Sequence, residues 1–231
     1  MINELLFVLH VVIVSIAAVA ALRLGKSALI GVMGLLMVLA NLFVLKQITL
    51  FGLQVTCADV YIVGSVFSLS LLQEYFGKKV AHKAIWISFF MAVLYVALSQ
   101  IHLLYVPSGY DVMQKHFLPL LKYMPRVIAA SFVSYLFSQY TLLGVNILLK
   151  KIFGEKKLVL RNFGALVCSQ GVDTIIFSFL GLYGIVHSVL QIMIFSFVIK
   201  IVVITCTTPF TALAKRVFKK TGFEKQVFKK I

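Results

Sequence analysis

Two ionisable residues lie within long apolar stretches and could together bind a small polar molecule. Asp173 lies in the stretch CSQGVDTIIF, and Lys200 lies in the apolar stretch that follows. If a turn near residue 185 joins these stretches as an antiparallel hairpin, the two charges share a depth near the bilayer centre. Asp173 precedes that turn by about twelve residues and Lys200 follows it by about fourteen. A lone charge at this depth costs about 2.5–3.5 kcal/mol, so we expect the two residues to form an ion pair.

The residues around this pair extend its chemistry. Gln170, Asp173 and Phe177 follow i, i+3, i+7 spacing, which places an amide, a carboxylate and a ring on one helix stripe. Phe197 and Lys200 share a face of the next helix. Such side chains suit a site for a small, planar, polar ligand. The alternative is a salt bridge that only clamps two helices, and the spacing leaves both interpretations open.

The composition indicates the elements that must position these residues. Of 231 residues, 61% are hydrophobic and 13% are charged, too few charges for the surface of a soluble domain of this length. Apolar stretches of about 20 residues, the length of a transmembrane helix, recur along the chain. The sequence predicts an all-α, polytopic membrane helix bundle of about seven transmembrane helices, at residues 3–22, 27–46, 57–76, 84–105, 124–149, 162–183 and 186–214.

The distribution of positive charge predicts an orientation. Residues 23–26, 78–83, 150–161 and 215–230 hold 17 of the 22 Lys and Arg, between or after the apolar stretches. The positive-inside rule places these segments in the cytoplasm, with the N-terminus outside and the C-terminus inside. Because the net charge of +15 is distributed in this way, it indicates membrane topology and no nucleic-acid partner.

Other polar residues have both a structural and a functional interpretation. Arg126 opens the predicted fifth helix and could extend to the interface or line a site. Asn41 could form a helix–helix hydrogen bond. Thr56 and Asp59 have capping-box spacing, with an outer carboxylate as the second interpretation.

Glu74 precedes Lys78 by four residues, as local helix ion pairs do. The longest predicted connector, residues 106–123, includes Pro107, Gly109 and Pro119.

Motifs for catalysis are absent from the sequence. It has no P-loop, no HExxH helix, no GxSxG elbow and no Cys–His arrangement of plausible spacing. The three cysteines lack metal-ligand spacing. We therefore expect a protein that is not an enzyme, with no catalytic residues, no metal and no cofactor.

Five stretches in series carry a family resemblance: NLFVLK (41–46), ADVYIVGSVFSLSLLQEYFGKKVA (58–81), PRVIAASFVSYLFSQ (125–139), LRNFGALVCSQGVDTIIF (160–177) and FVIKIVVITCTTPF (197–210). They resemble the queuosine-precursor transporter family, also called the vitamin uptake transporter family. The resemblance implies multi-pass proteins of the bacterial inner membrane that import 7-deazaguanine bases, such as queuine, preQ0 or preQ1, for tRNA modification. It also implies a six-helix core, residues 27–214, similar to the substrate-binding subunits of energy-coupling-factor transporters. Residues 1–26 then form an added N-terminal helix and residues 215–231 a basic cytoplasmic tail.

The resemblance also implies site residues. The polar family positions are occupied here by Asn41, Glu74, Arg126, Gln170, Asp173 and Lys200. Ser70 is a departure, since members commonly have Asp or Asn there. We hypothesise that Asp173 binds the base edge, that Lys200 keeps it ionised, that Phe177 and Phe197 sandwich the ring, and that Asp59 or Glu74 receives a cationic aminomethyl arm.

Three functions remain open from the sequence. The chain could be a self-sufficient carrier, a binding subunit that needs an external ATPase module, or a membrane scaffold in which Asp173 and Lys200 only clamp helices. The choice among precursors, proton-linked or facilitated transport, and assembly into a homo-oligomer also stay open.

Overall fold

The apolar stretches fold into helices because a backbone in lipid must satisfy its own hydrogen bonds. In the computed structural model, the described residues are 2–153, 158–202 and 205, with the backbone alone at 158–162. Within them, five helical stretches are long and apolar enough to cross a membrane: Ile2–Leu24, Lys26–Phe43, Lys78–Leu104, Gln114–Phe153 and Phe163–Leu182. The chain is therefore an all-α, multi-pass membrane protein.

The elements are α1 (Ile2–Leu24), α2 (Lys26–Phe43), β1 (Gln47–Leu50), β2 (Leu53–Thr56), α3 (Asp59–Phe76), α4 (Lys78–Leu104), α5 (Gln114–Leu121), α6 (Met124–Phe153), α7 (Leu158–Phe177) with a π-helical turn (Ser178–Leu182), and α8 (Val189–Val202). Each predicted span overlaps one helix: α1, α2, α3, α4, α6, α7 or the described part of α8. Helix α3, which carries Asp59, Gln73 and Glu74, is not among the five stretches. Residues 203, 204 and 206–214 of the last predicted span, and the predicted tail, lie outside the described residues.

The boundary between α3 and α4 corrects one prediction. The basic segment 78–83, expected to be a connector, forms the first turns of α4. Gly77 alone separates the helices, with a φ of 86° that residues with a side chain rarely adopt. Its backbone N–H donates to the Gln73 carbonyl at 3.2 Å, and this hydrogen bond ends α3. Lysines suit the beginning of α4 because their long side chains can extend toward water.

Two further elements were missed by the sequence-based reading. The predicted connector 106–123 contains α5, and residues 47–56 form an antiparallel hairpin with Gln47 opposite Thr56. Phe51 and Gly52 form its turn, both with positive φ (51° and 80°), as in a type I′ turn. The predicted capping box is wrong: Thr56 ends β2, and Ala58 at the N-cap of α3 makes no side-chain capping bond.

The chain divides into two compact units. The first comprises the described residues of Met1–Lys46, Cys57–Tyr95 and Val202–Ile231. Its core joins α1, α2, α3 and the start of α4 through buried side chains that include Leu22, Leu29 and Leu72. At Gly64 of α3 an added Cβ would collide with Val14 of α1, so the missing side chain permits a close helix contact.

The second unit comprises Gln47–Thr56 and Val96–Ile201, which hold the hairpin, α5, α6, α7 and most of α8. Helix α6 packs along α7 through small residues. Ser169 of α7 donates its hydroxyl to the Ser138 carbonyl of α6 at 2.9 Å, and an added Cβ at Gly181 would lie 3.2 Å from Ala130. This packing fixes the helix that carries Asp173.

Candidate functional site

Asp173 and Lys200 form an ion pair between α7 and α8. The Lys200 Nζ donates to Asp173 Oδ2 at 2.6 Å and to Thr174 Oγ1 at 3.1 Å. The predicted pair is thus confirmed. The Lys200 side chain is 10% exposed and that of Asp173 is 22% exposed. The Asp173 side chain is therefore the more accessible of the two.

Hydrogen-bonding capacity remains beside this pair. Among the described residues, Asp173 uses only Oδ2, and the Gln170 amide one turn earlier on α7 makes no side-chain hydrogen bond. An ionised carboxylate only accepts hydrogen bonds, whereas an amide both donates and accepts. This side of α7 can therefore bind a molecule that offers N–H donors to Asp173 and either a donor or an acceptor to Gln170.

The two predicted rings lie in different places. An added Cβ at Gly171 would lie 3.5 Å from Cε2 of Phe197, so this ring of α8 lies against the α7 backbone next to Gln170. An added Cβ at Gly181 would lie 3.4 Å from Cε2 of Phe177, so that ring points toward the π-helical turn. Phe197 is therefore the ring at the contact between α7 and α8.

Arg126 binds the end of the α7 helix. Its Nε donates to the Leu180 carbonyl and its Nη2 to the Tyr183 carbonyl, both at 2.7 Å. The last carbonyls of a helix lack intrahelical partners and carry partial negative charge, so a guanidinium there is favourable on both grounds. The fork holds two carbonyls at once, which a lysine cannot do in the same geometry.

The β-hairpin is bonded to the turn between α7 and α8 by two glutamines. The Gln47 side-chain oxygen accepts from the His187 amide at 3.0 Å, and the Gln191 side-chain oxygen accepts from the Gln54 amide at 2.8 Å. Each partner thus supplies one side chain and one backbone group. The hairpin and Arg126 together fix the end of the helical pair that carries Asp173 and Lys200.

The remaining predicted site residues, Asn41, Asp59 and Glu74, lie in the first unit. Asn41 is buried and its Nδ2 donates to the Met37 carbonyl of its own helix at 2.7 Å. Asp59 begins α3 and is 1% exposed. Burial raises the pKa of the nearby Cys57 thiol, the Lys46 charge opposes that effect, and the Asp59 charge adds to it. Glu74 is half-buried in the last turn of α3, and its ion pair with Lys78 stays a prediction.

Thr174 and the glutamines of the hairpin contact escaped the sequence-based reading. Thr174 follows Asp173 directly, so its hydroxyl was a candidate partner for the ion pair. Helical spacing alone did not indicate it. In the run QITLFGLQVT, a Gly takes the second position of the turn, and the segments on either side contain β-branched residues. This pattern is typical of hairpins. Among the described residues, no group of three or more His, Cys, Asp or Glu could hold a metal ion.

Comparisons with known proteins agree with the membrane fold. The model of a family described as "Putative vitamin uptake transporter" matches residues 56–214, more than half of the chain. A protein of Bacillus subtilis (strain 168) named "Probable queuosine precursor transporter" is 33% identical over 196 residues, which cover 83% of this chain and 85% of the relative. No solved structure matches. From the family match and the extent of this similarity, the chain belongs to the vitamin uptake transporter family.

Proposed function

We propose that this chain imports queuosine precursors, 7-deazaguanine bases, across the bacterial inner membrane. The similarity to the Bacillus subtilis protein supports the substrate class. The observation that carries the proposal is the Asp173–Lys200 pair, whose acid keeps accessible surface and an open acceptor within an apolar helical pair. Both properties leave the carboxylate able to accept hydrogen bonds from a ligand.

The recognition chemistry follows from the base. A 7-deazaguanine edge presents a ring N–H and an amino group beside a carbonyl oxygen. One carboxylate can accept from both donors, and an amide can donate to the oxygen. In this proposal Asp173 binds the donor edge, Gln170 binds the carbonyl, and Lys200 with Thr174 holds the carboxylate ionised and oriented. Phe197 stacks on the flat ring.

The other predicted residues take secondary roles in the proposal. The roles of Asn41, Asp59 and Glu74, which lie in the first unit, stay sequence-based predictions. Arg126 and Phe177 act at the end of the α7 helix. We further propose residues 27–214 as the transport core, with 1–26 as an added helix and 215–231 as a tail.

We also propose that the N-terminus lies outside and the C-terminus in the cytoplasm. Contacts among three connectors, which join α2 to α3, α4 to α6 and α7 to α8, support this arrangement. The hairpin between α2 and α3 bonds to the turn between α7 and α8, and Arg126 at the start of α6 bonds to the same turn. If α2 to α8 cross the membrane in alternation, apart from α5, these three connectors fall on one face. The basic connectors then fall on the other face. Reporter fusions at each terminus would test the orientation.

The decisive experiment is uptake in a host that cannot make the precursors. Cells expressing this chain receive queuine, preQ0 or preQ1 in turn, and queuosine in tRNA is measured. We expect queuosine to appear only with the chain present and with at least one of the bases. No queuosine with any base, at normal membrane expression, would contradict the proposal. Uptake that requires a co-expressed ATPase module would instead indicate the binding-subunit function.

A further inference from the structure

The connector between α4 and α6 exposes large apolar side chains that the described protein does not cover. Tyr105, Val106 and Tyr110 are 70%, 92% and 97% exposed, and Val112 and Met113 are also exposed. Exposed apolar clusters of this kind mark an interaction surface. The connector joins two helices that each qualify as membrane spans, so both of its ends lie at the same membrane surface.

Helix α5 within this connector has one covered and one open side. Leu121 is buried, its carbonyl accepts from Gln100 Nε2 at 2.9 Å, and the Phe117 ring meets His102 edge-on at 5.6 Å. The helix is therefore held against the end of α4 in a defined orientation. Its open side is available for a partner outside the described part of the chain.

The open side combines apolar and positive groups. Lys115, Leu118 and Lys122 follow i, i+3, i+7 spacing and form one exposed stripe. Asp111, the one acidic residue of the connector, accepts from the Met113 and Gln114 amides at 2.7 and 3.3 Å, so its charge serves the start of α5. The stripe therefore faces outward with net positive charge.

We propose that the connector, residues 105–122, lies in the headgroup region of the bilayer and binds anionic phospholipid. Lysines with long apolar stems, aromatic rings and a leucine on one stripe suit that region, where apolar bodies enter the acyl boundary and charged heads stay at the phosphates. Charge complementarity selects the anionic headgroup, since an exposed lysine is attracted to negatively charged phosphate groups at short range. The contact would anchor the end of α6 at which Arg126 binds the α7 turn.

A fluorophore on the stripe tests this proposal in the full chain. The protein, with its three cysteines replaced by serine, carries an environment-sensitive fluorophore at Leu118→Cys in lipid nanodiscs. We expect quenching by phospholipids brominated near the headgroup, weak quenching by aqueous iodide, and a blue shift when phosphatidylglycerol replaces part of the phosphatidylcholine. The double variant Lys115→Gln and Lys122→Gln should lose the response to phosphatidylglycerol.

The matched control is Lys78→Gln with Lys79→Gln, which removes two exposed lysines at the other end of α4 and should leave the response at position 118 intact. Strong iodide quenching without quenching by brominated lipid would place the connector in water and overturn the proposal. Protection from both quenchers would indicate a protein partner, such as a second copy, and would also overturn it. Equal emission in neutral and anionic nanodiscs would refute the preference for anionic lipid.

Discussion

Separating the two charges of the Asp173–Lys200 pair distinguishes a binding site from a helix clamp. Replacing Lys200 with methionine leaves the carboxylate without its counter-ion, and replacing Asp173 with asparagine leaves the ammonium with Thr174 and an amide. A buried pair broken by removal of one partner loses about 3–5 kcal/mol. Asp173 keeps 22% of its side-chain surface, so we expect the lower end, about 3 kcal/mol, which is roughly two orders of magnitude in the folded population.

The apolar double variant Asp173→Leu with Lys200→Met separates stability from function. Replacing both members of a buried pair is often neutral for stability, so the thermal unfolding temperature in detergent should return close to that of the parent. Uptake should not return, because the acceptor for the base edge is gone. The measurements are membrane expression, unfolding temperature and queuosine in tRNA for the parent, both single variants and the double variant.

One result would show that the pair only clamps the two helices. If the double variant regains both stability and uptake, the pair is a clamp and the carboxylate has no part in recognition. Uptake by Asp173→Asn at the parent's rate would lead to the same conclusion.

Three further predictions concern the surroundings of the site. Gly64→Ala should lower the unfolding temperature clearly, because the added methyl has no room. Gly31→Ala, whose Cβ meets nothing within 4 Å, should be neutral or stabilising, and equal effects of the two changes would contradict the close contact. Arg126→Lys should reduce uptake nearly as much as Arg126→Ala, because a lysine cannot hold two carbonyls as a fork, and full activity of the lysine variant would exclude that role. Gln191→Leu should release the hairpin and increase hydrogen exchange at the Gln54 amide, whereas Gln191→Glu retains an acceptor and should not; unchanged exchange in both variants would contradict the bond.

The sequence predicted the spans and the ion pair because both follow from regular geometry. Helix length fixes the depth of residues on either side of a turn, and this placed Asp173 opposite Lys200. Helix ends were harder to predict, since lysines such as those of 78–83 can continue a helix beyond the hydrocarbon, and only Gly77 shows where the break lies. The distribution of Lys and Arg did not indicate whether this basic segment was a connector or the start of a helix.

The hairpin and the role of Arg126 depend on contacts between distant parts of the chain. Gln54 meets Gln191 across 137 positions, and Arg126 meets Leu180 across 54. No local spacing rule relates such positions. The sequence could propose that Arg126 was functional, but it could not indicate that the guanidinium binds backbone carbonyls.

Equilibrium binding of two bases to two proteins shows whether Asp173 binds the base edge. The ligands are 7-deazaguanine and its analogue without the amino group, and the proteins are the purified parent and Asp173→Asn. We expect the parent to prefer the amino-bearing base by about ten- to a hundred-fold, since a lost hydrogen bond to a charged group amounts to roughly 1.5–3 kcal/mol. We expect Asp173→Asn to lose most of this preference. An equal preference in both proteins would contradict the claim that Asp173 binds the base edge.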